Sequence, residues 1–410
     1  MIATLRDRLG LLWDRLDVTG RRSEAIAGDS EFDVALVWVV VALLALGLLM
    51  VYSASIPIAS ESRYTGRSAT YFLQRQALFI LLGLVLANIL FEVPVKMLEK
   101  LTPILVGVAL LLLLLVLIPG IGKVVNGARR WIPFGPFSLQ PSELMKLVVV
   151  LFAARYAVLK AEHLSGQQPL MHSFLRGLGP FIVVMLVTSI LLLREPDFGA
   201  TLVIFSVGTL VLFMAGLDGR VIVPVLLAAL VAAVGLILLE PYRLERFFAF
   251  LDPWKEEYGK GYQLTQSLMA IGRGGVFGLG LGAGVSKHYY LPEAHTDFIF
   301  AVTAEELGLV GVLVVIALYV FITLRAFRIG RDAVALEQPF AGSVARGIGA
   351  LIGLQALINI AVSTGLAPTK GLTLPLMSYG GSGMIMTLAA IAILLRIDWE
   401  NRRRERGFMP

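Results

Sequence analysis

The stretch LTPILVGVALLLLLLVLI at 101–118 leaves very few folds open to this chain. An uncharged apolar run of that length crosses a hydrocarbon core of about 30 Å as one α-helix. Inside such a core every backbone N–H and C=O has to be bonded within the chain, which permits helices and closed barrels and nothing else. Barrel strands alternate apolar and polar residues at every second position, and these solid runs do not. Similar runs recur, and ten spans are predicted at about 33–53, 72–91, 101–119, 143–160, 175–193, 199–216, 221–239, 298–324, 343–366 and 376–396. The interval 143–160 is the least apolar of them, because it carries Lys146 and Arg155. Composition agrees with the pattern: 57% of residues are hydrophobic and 16% charged, against about 25% charged in soluble domains. The expected fold class is an all-α polytopic membrane protein.

Three regions follow from these spans. Residues 1–32 form an N-terminal segment in which Ile2, Leu5, Leu9, Leu12 and Leu16 share one helical face, with Arg6, Arg8 and Arg15 off it. That pattern predicts a short amphipathic helix on an anionic membrane surface. Its charges are interleaved with its apolar residues, unlike a cleaved signal peptide. Residues 33–396 form the transmembrane domain, and 397–410 a basic tail. Connections are short except for 240–297, which is rich in aromatic residues, charges and glycine. Placing both termini in the cytoplasm puts Arg21, Arg22, Lys96, Lys100, Arg325, Arg328, Arg331 and the tail on the inner side, as the positive-inside rule requires. The long 240–297 loop is then extracytoplasmic.

Several chemistries are excluded or disfavoured. The chain has no cysteine, so disulfides, thiolate metal sites and a cysteine nucleophile are out. His163, His172, His288 and His295 show no paired metal-ligand spacing. The net charge of +6 comes from basic residues at span ends, which is a topology signal and not a nucleic-acid one. The glycines of GRGGVFGLGLGAG (272–284) are not framed by a strand and a helix, so they do not make a dinucleotide site. They suit tight or re-entrant backbone packing. SYGGSG (378–383) is likewise no nucleophile elbow and reads as a bend at the mouth of the last span.

The acids of LPEAHTDFIFAVTAEELG (291–308) are harder to dismiss. Asp297 falls where a polar loop meets a span. It could cap the helix that follows, a role Thr296 would fill as well, or it could present a carboxylate where the head group of a lipid-linked substrate lies. Glu305 and Glu306 lie roughly 12–14 Å further along a helix and point about 100° apart. Paired carboxylates acting on one glycosidic bond stand roughly 5–10 Å apart, so neither is expected to share a bond with Asp297. At that depth a carboxylate needs a partner, and Glu305 and Glu306 are expected to be structural, in internal ion pairs. In NGARRWIPFGPFSLQPSELMK (126–146), Arg129 and Arg130 lie in an interfacial loop before a helix opened by Pro141, where Glu143 and Lys146 can pair across one turn. Cations in such a loop are either interfacial anchors or contacts for a phosphorylated lipid.

Taken together, ARRWIPFGPFSLQPSELMKL, EPDFGATLV, GYQLTQSLMAIGRGGVFGLGLG, LPEAHTDFIFAVTAEELG and GLAPTKGLTLPLMSYGGSG resemble the SEDS family (shape, elongation, division and sporulation), in order and spread over residues 128–383. The run PTKGLTLPLMSYGG is closer to the family's division member than to its elongation member. Two positions depart from the pattern: Glu195 replaces a usual glutamine, and Gly383 a usual serine. The resemblance implies a SEDS-type bundle of about ten helices in the bacterial inner membrane at the division septum. It implies a glycosyltransferase that polymerises lipid II, with Asp297 as catalytic acid–base residue and Arg130, Lys146 and Lys370 binding the substrate's diphosphate. It also implies a class B penicillin-binding protein (FtsI-like) and the FtsQ–FtsL–FtsB complex as partners. A divalent cation (Mg or Mn) beside a diphosphate is chemically reasonable, although no ligand cluster in the sequence identifies one. The competing functions are a lipid II flippase, a non-catalytic scaffold of the division machinery, and an elongation-type polymerase.

Overall fold

A computed structural model describes residues 32–62, 65–125, 127–135, 137–164, 173–238 and 241–408. The amphipathic helix expected at 1–16 lies outside the described residues. A helix occupies each of the ten predicted intervals: α1 (Val34–Glu61), α2 (Tyr71–Glu92), α3 (Val95–Leu117), α4 (Pro141–Leu159), α5 (Gly179–Arg194), α6 (Phe198–Met214), α7 (Gly219–Leu238), then α10 (Ile299–Ala335), α11 (Pro339–Ser363) and α12 (Gly381–Glu405). Seven of the described helices are long and apolar enough to cross a membrane, and α6 and α7 add shorter apolar stretches. This is an all-α polytopic membrane protein.

α4 is the exception that packing explains. Met145 through Leu151 are buried without a break, because α3, α5, α6, α11 and α12 all touch this helix. A helix enclosed by protein does not have to be apolar toward lipid, so it can carry Lys146. Between helices in a membrane, close approach through small residues replaces the hydrophobic effect as the main source of attraction. α10 and α11 meet in that way: a Cβ on Gly342 would stand 2.7 Å from the carbonyl of Gly330.

Two of the loops carry secondary structure that their turn residues do not announce. The segment after α3 is a small antiparallel sheet in the order β1 (Lys123–Val125), β2 (Ala128–Phe134), β3 (Phe137–Leu139). Gly127 (φ 76°) and Gly135 (φ 58°) supply the left-handed residues its turns require. The 240–297 loop, for its part, contains two helices, α8 (Pro241–Leu251) and α9 (Tyr262–Gly274). α9 buries Leu264, Ser267, Ala270 and Gly274 along one face, the spacing of an amphipathic helix lying on the bundle.

The long helices run past their predicted ends. α10 continues to Ala335, and a single residue within it, Gly308, is non-helical at φ 66° and ψ −167°. α12 continues to Glu405, so much of the expected tail is ordered helix. Its last turns clasp one end of the bundle. The Glu400 carboxylate accepts the N–H of Val95 at the start of α3 (3.0 Å), Arg396 donates to the carbonyl of Phe91 (2.9 Å), and Asn401 donates to the carbonyl of Ile329 (3.1 Å). At that same end Asp33 caps α1 through the N–H of Leu36 (3.1 Å) and is paired with Arg325 of α10. Because α1 and α10 run antiparallel, the opposite end of the bundle gathers the finish of α1 and α11 and the starts of α4, α6, α10 and α12. The predicted site residues stand at that end.

Candidate functional site

The turn Glu195–Phe198, between α5 and α6, is the hub. Alternation along β2 sends Arg129 and Arg130 to opposite faces. Arg129 donates to the carbonyl of Leu117 (3.0 Å), closing the C-terminal end of α3. Arg130 reaches the other way, donating from Nε to the carbonyl of Glu195 (3.0 Å) and from its other end to that of Pro196. The turn itself is stitched by Asp197, which caps α6 through the N–H of Ala200 (3.1 Å) and accepts from Gln140 and Ser142 (both 3.4 Å). Lys370 lies with its Nζ 4.3 Å from the centre of the Phe198 ring. Two of the predicted cations thus converge on one turn from separate parts of the chain.

Asp297 faces the same region. A Cβ added at Gly371, next to Lys370, would stand 3.4 Å from the Asp297 Oδ2. The carboxylate does not cap α10: the N-cap residue is Phe298, which makes no side-chain cap bond. Thr296 does not substitute for it, because its hydroxyl donates to Glu293 Oε2 (2.6 Å). The capping role weighed from sequence is therefore vacant, and among the described residues the Asp297 carboxylate makes no hydrogen bond. Only its backbone is pinned. Asn359 of α11 donates to the carbonyl of Asp297 (2.8 Å) and to that of Leu372 (2.6 Å), locking the two loops together.

Electrostatics set the state of this acid. Burial, then the negative charge of Glu293, push the Asp297 carboxyl up to about 7; Arg130 opposes that shift and Asp197 adds to it. A carboxyl in that range exchanges a proton readily near neutral pH. The neighbouring His295 is packed between Phe72 (4.7 Å between ring centres) and Tyr379 (5.6 Å). Burial lowers its pKa despite the charge of Glu293, so it stays neutral where Asp297 titrates. The N–H of Tyr379 holds the carbonyl of His295 (2.9 Å), tying this loop to the start of α12.

Lys146 sits below the surface of this site, only 2% exposed. Its ammonium meets Glu143 Oε2 (2.8 Å), the pairing expected from their spacing, and Gln355 Oε1 (3.1 Å). Gln355 in turn donates to the carbonyl of Thr373 (3.0 Å). In this arrangement Lys146 is turned inward and supports the 370–373 loop. A Cβ on Gly383 would lie 3.4 Å from Glu143 Oε2.

Glu305 and Glu306 stand apart from these groups, and both are buried. Glu306 meets Lys287 Nζ (2.8 Å) and accepts from Ser53 Oγ of α1 (2.7 Å) and the N–H of Gly282 (3.0 Å). Glu305 accepts from the N–H groups of Val285 (3.2 Å) and Ser286 (3.1 Å), with Arg273 at 3.5 Å. Sequence reasoning did not single out Glu195 and Asp197 as parts of the site, nor Asn359. The first two carried a signal, two acids around a proline at a predicted span boundary. Asn359 carried none beyond being an amide in an apolar helix.

The comparisons fit this geometry. Residues 34–403 match the family model of cell cycle proteins that groups FtsW, RodA and SpoVE. The chain is 51% identical to the probable peptidoglycan glycosyltransferase FtsW of Aromatoleum aromaticum, over 92% of this chain and 90% of that protein. It is 50% identical to the protein of the same description in Nitrosomonas europaea, over 92% and 95%. Among solved structures it resembles a chain of a peptidoglycan synthase complex that coordinates polymerisation and crosslinking (TM-score 0.71, 34% identity, 91% of this chain and 98% of that one). It also resembles the rod-shape-determining protein RodA of Thermus thermophilus (TM-score 0.64, 31% identity, 91% and 97%). The chain belongs to the SEDS family of cell cycle proteins and is FtsW-like within it.

Proposed function

We infer that this protein is a peptidoglycan glycosyltransferase of cell division, polymerising lipid II with Asp297 as general base. The observation that carries the role of Asp297 is its carboxylate, which makes no hydrogen bond among the described residues and faces the turn that gathers Arg130 and Lys370. In the reaction, the 4-hydroxyl of one sugar attacks the anomeric carbon of a second, whose leaving group is undecaprenyl diphosphate. Asp297 takes the hydroxyl proton as the new C–O bond forms, a contribution typically worth about 10²–10⁴-fold. Arg130 and Lys370 stabilise the charge developing on the departing diphosphate. An α-linked donor yielding a β-1,4 product is inverted by this single displacement, so one base and a cationic clamp suffice. Lys146 contributes from beneath by holding the 370–373 loop through Gln355.

Among the described residues no group of three or more His, Asp or Glu could hold a metal ion. The protein acts in the inner membrane at the septum, with both termini cytoplasmic. It works there with a class B penicillin-binding protein (FtsI-like) and the FtsQ–FtsL–FtsB complex.

The test is polymerisation of purified lipid II by the wild type and by Asp297→Asn, with transbilayer movement of lipid II followed in the same vesicles. Loss of polymer in a folded Asn variant is expected. Polymer yield in the Asn variant near that of the wild type would remove Asp297 as the base, and lipid II movement without polymer in the wild type would replace this reading with the flippase one.

A further inference from the structure

Of the two acids in the hub turn, Glu195 is the one without a partner. It is 0% exposed, and among the described residues neither of its carboxyl oxygens has a hydrogen-bond donor. Its neighbour two residues on, Asp197, takes the donors available in that turn: the N–H of Ala200, the amide of Gln140 and the hydroxyl of Ser142. The guanidinium of Arg130 is close enough to act on the Glu195 carboxyl, yet its N–H groups go to two main-chain carbonyls, those of Glu195 and Pro196. A buried carboxylate without a donor or a counter-ion is too costly to persist, and such a group takes up a proton instead.

We propose that Glu195 serves this site as an un-ionised carboxylic acid, a positioning residue whose proton leaves the charge of Arg130 uncompensated and available to an anionic leaving group. This rests on the reading of Arg130 as a diphosphate ligand. Main-chain carbonyls orient a guanidinium without cancelling its charge, whereas a carboxylate in the same place would both cancel the charge and draw the group inward. The charged groups acting on Glu195 are Asp197 in the same turn and Arg130 from β2. Burial is the main cause, and Asp197 the second, of a pKa pushed up to about 9, with Arg130 pulling the other way. Above that pH Glu195 ionises, the clamp loses net positive charge, and affinity for the diphosphate falls.

The experiment compares wild type, Glu195→Gln and Arg130→Ala in detergent or vesicles. It measures lipid II polymerisation from pH 6 to 10.5 and binding of undecaprenyl diphosphate at pH 7 and pH 9.8. Gln keeps the shape of the acid and stays neutral. It is expected to retain polymerisation within about threefold of wild type at pH 7, and to lose the alkaline limb near pH 9, leaving only a later decline where lysines titrate at about 10.4. Wild-type affinity for undecaprenyl diphosphate should drop by about fivefold or more between the two pH values, and that of Glu195→Gln should not. A Gln variant that keeps the wild-type alkaline limb, or that polymerises at under a tenth of wild type at pH 7, overturns the proposal. Arg130→Ala reports separately on the underlying reading: if it binds undecaprenyl diphosphate at pH 7 as tightly as wild type, the clamp is elsewhere whatever Glu195→Gln does.

Discussion

The N–H of Leu309 bonds the carbonyl of Gly275 at 3.0 Å, and not that of Glu305, its partner in a continuous helix. Val310 does the same with Val276 (3.2 Å), while the N–H groups of Leu279 and Gly280 take the carbonyls of Glu305 (3.0 Å) and Glu306 (3.1 Å). The glycine-rich segment after α9 thus inserts into the hydrogen-bond ladder of α10 at Gly308 and satisfies both broken ends. Non-helical backbone inside a membrane protein survives only where such bonds are replaced. The side chains of Glu305 and Glu306 complete the graft by accepting from three main-chain N–H groups of the same segment, those of Gly282, Val285 and Ser286, the last shared between both Glu305 oxygens.

This graft has no room for a methyl group. A Cβ at Gly308 would stand 2.3 Å from the N of Gly278, and one at Gly278 would stand 2.2 Å from the carbonyl oxygen of Glu306. Both residues also have positive φ, 66° and 80°. Gly308→Ala and Gly278→Ala are each expected to destabilise by at least about 2 kcal/mol. Thermal unfolding in detergent checks this, and Gly280→Ala, which meets nothing within 4 Å, controls for backbone strain alone.

The ion pair at the centre of the graft should behave as a buried one. Lys287 is 3% exposed and bonds Glu306, Ser53 and the carbonyl of Gly282. Lys287→Met leaves Glu306 without its counter-charge, for a loss of about 3–5 kcal/mol. Adding Glu306→Gln should restore much of it. A double-mutant cycle in which the two losses simply add would show that the pair is not coupled.

How much of this was legible beforehand differs from element to element. The ten helix intervals were, since solid apolar runs have one reading in a membrane. α4 shows the limit: its Lys146 and Arg155 weakened the signal, and the burial that makes Lys146 tolerable is a property of five neighbouring helices. The sheet at 123–139 was missed because its strands are short and its turns were taken as the whole. Asp297 could be located at a span boundary from sequence, but whether it capped α10 could not be decided until its carboxylate was seen unbonded. Glu195 and Asn359 owe their roles to contacts with residues 65 positions before and 62 before, respectively, distances over which local pattern carries no information.

Asn359 gives the site its rigidity, and removing it should affect rate before stability of the whole bundle. Asn359→Leu frees the carbonyls of Asp297 and Leu372, both now held by one amide. Loosening a catalytic group by about 1 Å can cost about 10²-fold. A fall in kcat of about tenfold or more, with KM for lipid II changed by less than about threefold, is the expected pattern; an unchanged kcat would mean that the two loops are held by other contacts.

The pH dependence of Asp297 connects its chemistry to its cost. Its carboxyl is raised from 3.8 to about 7 by burial first and by Glu293 next. In the proposed role of general base, Asp297 is half-deprotonated near pH 7, so kcat/KM should climb about tenfold per unit below that pH and level off above it until the alkaline limb near pH 9. Glu293→Gln removes one of the charges holding the value up, and the acid limb should move to lower pH, by well under one unit because Glu293 is exposed. Stability runs the opposite way. Between 3.8 and about 7 the folded protein holds a proton that the unfolded chain has released, so this group's contribution is fully present below pH 3.8 and lost as pH rises through 7. Asp297→Asn cannot ionise and escapes that loss. It should therefore melt higher than wild type at pH 8, with the difference shrinking toward pH 4, while making no glycan. An Asn variant that is less stable than wild type at pH 8 would mean that the carboxylate is a stabilising element of the fold, not a base kept there at the fold's expense.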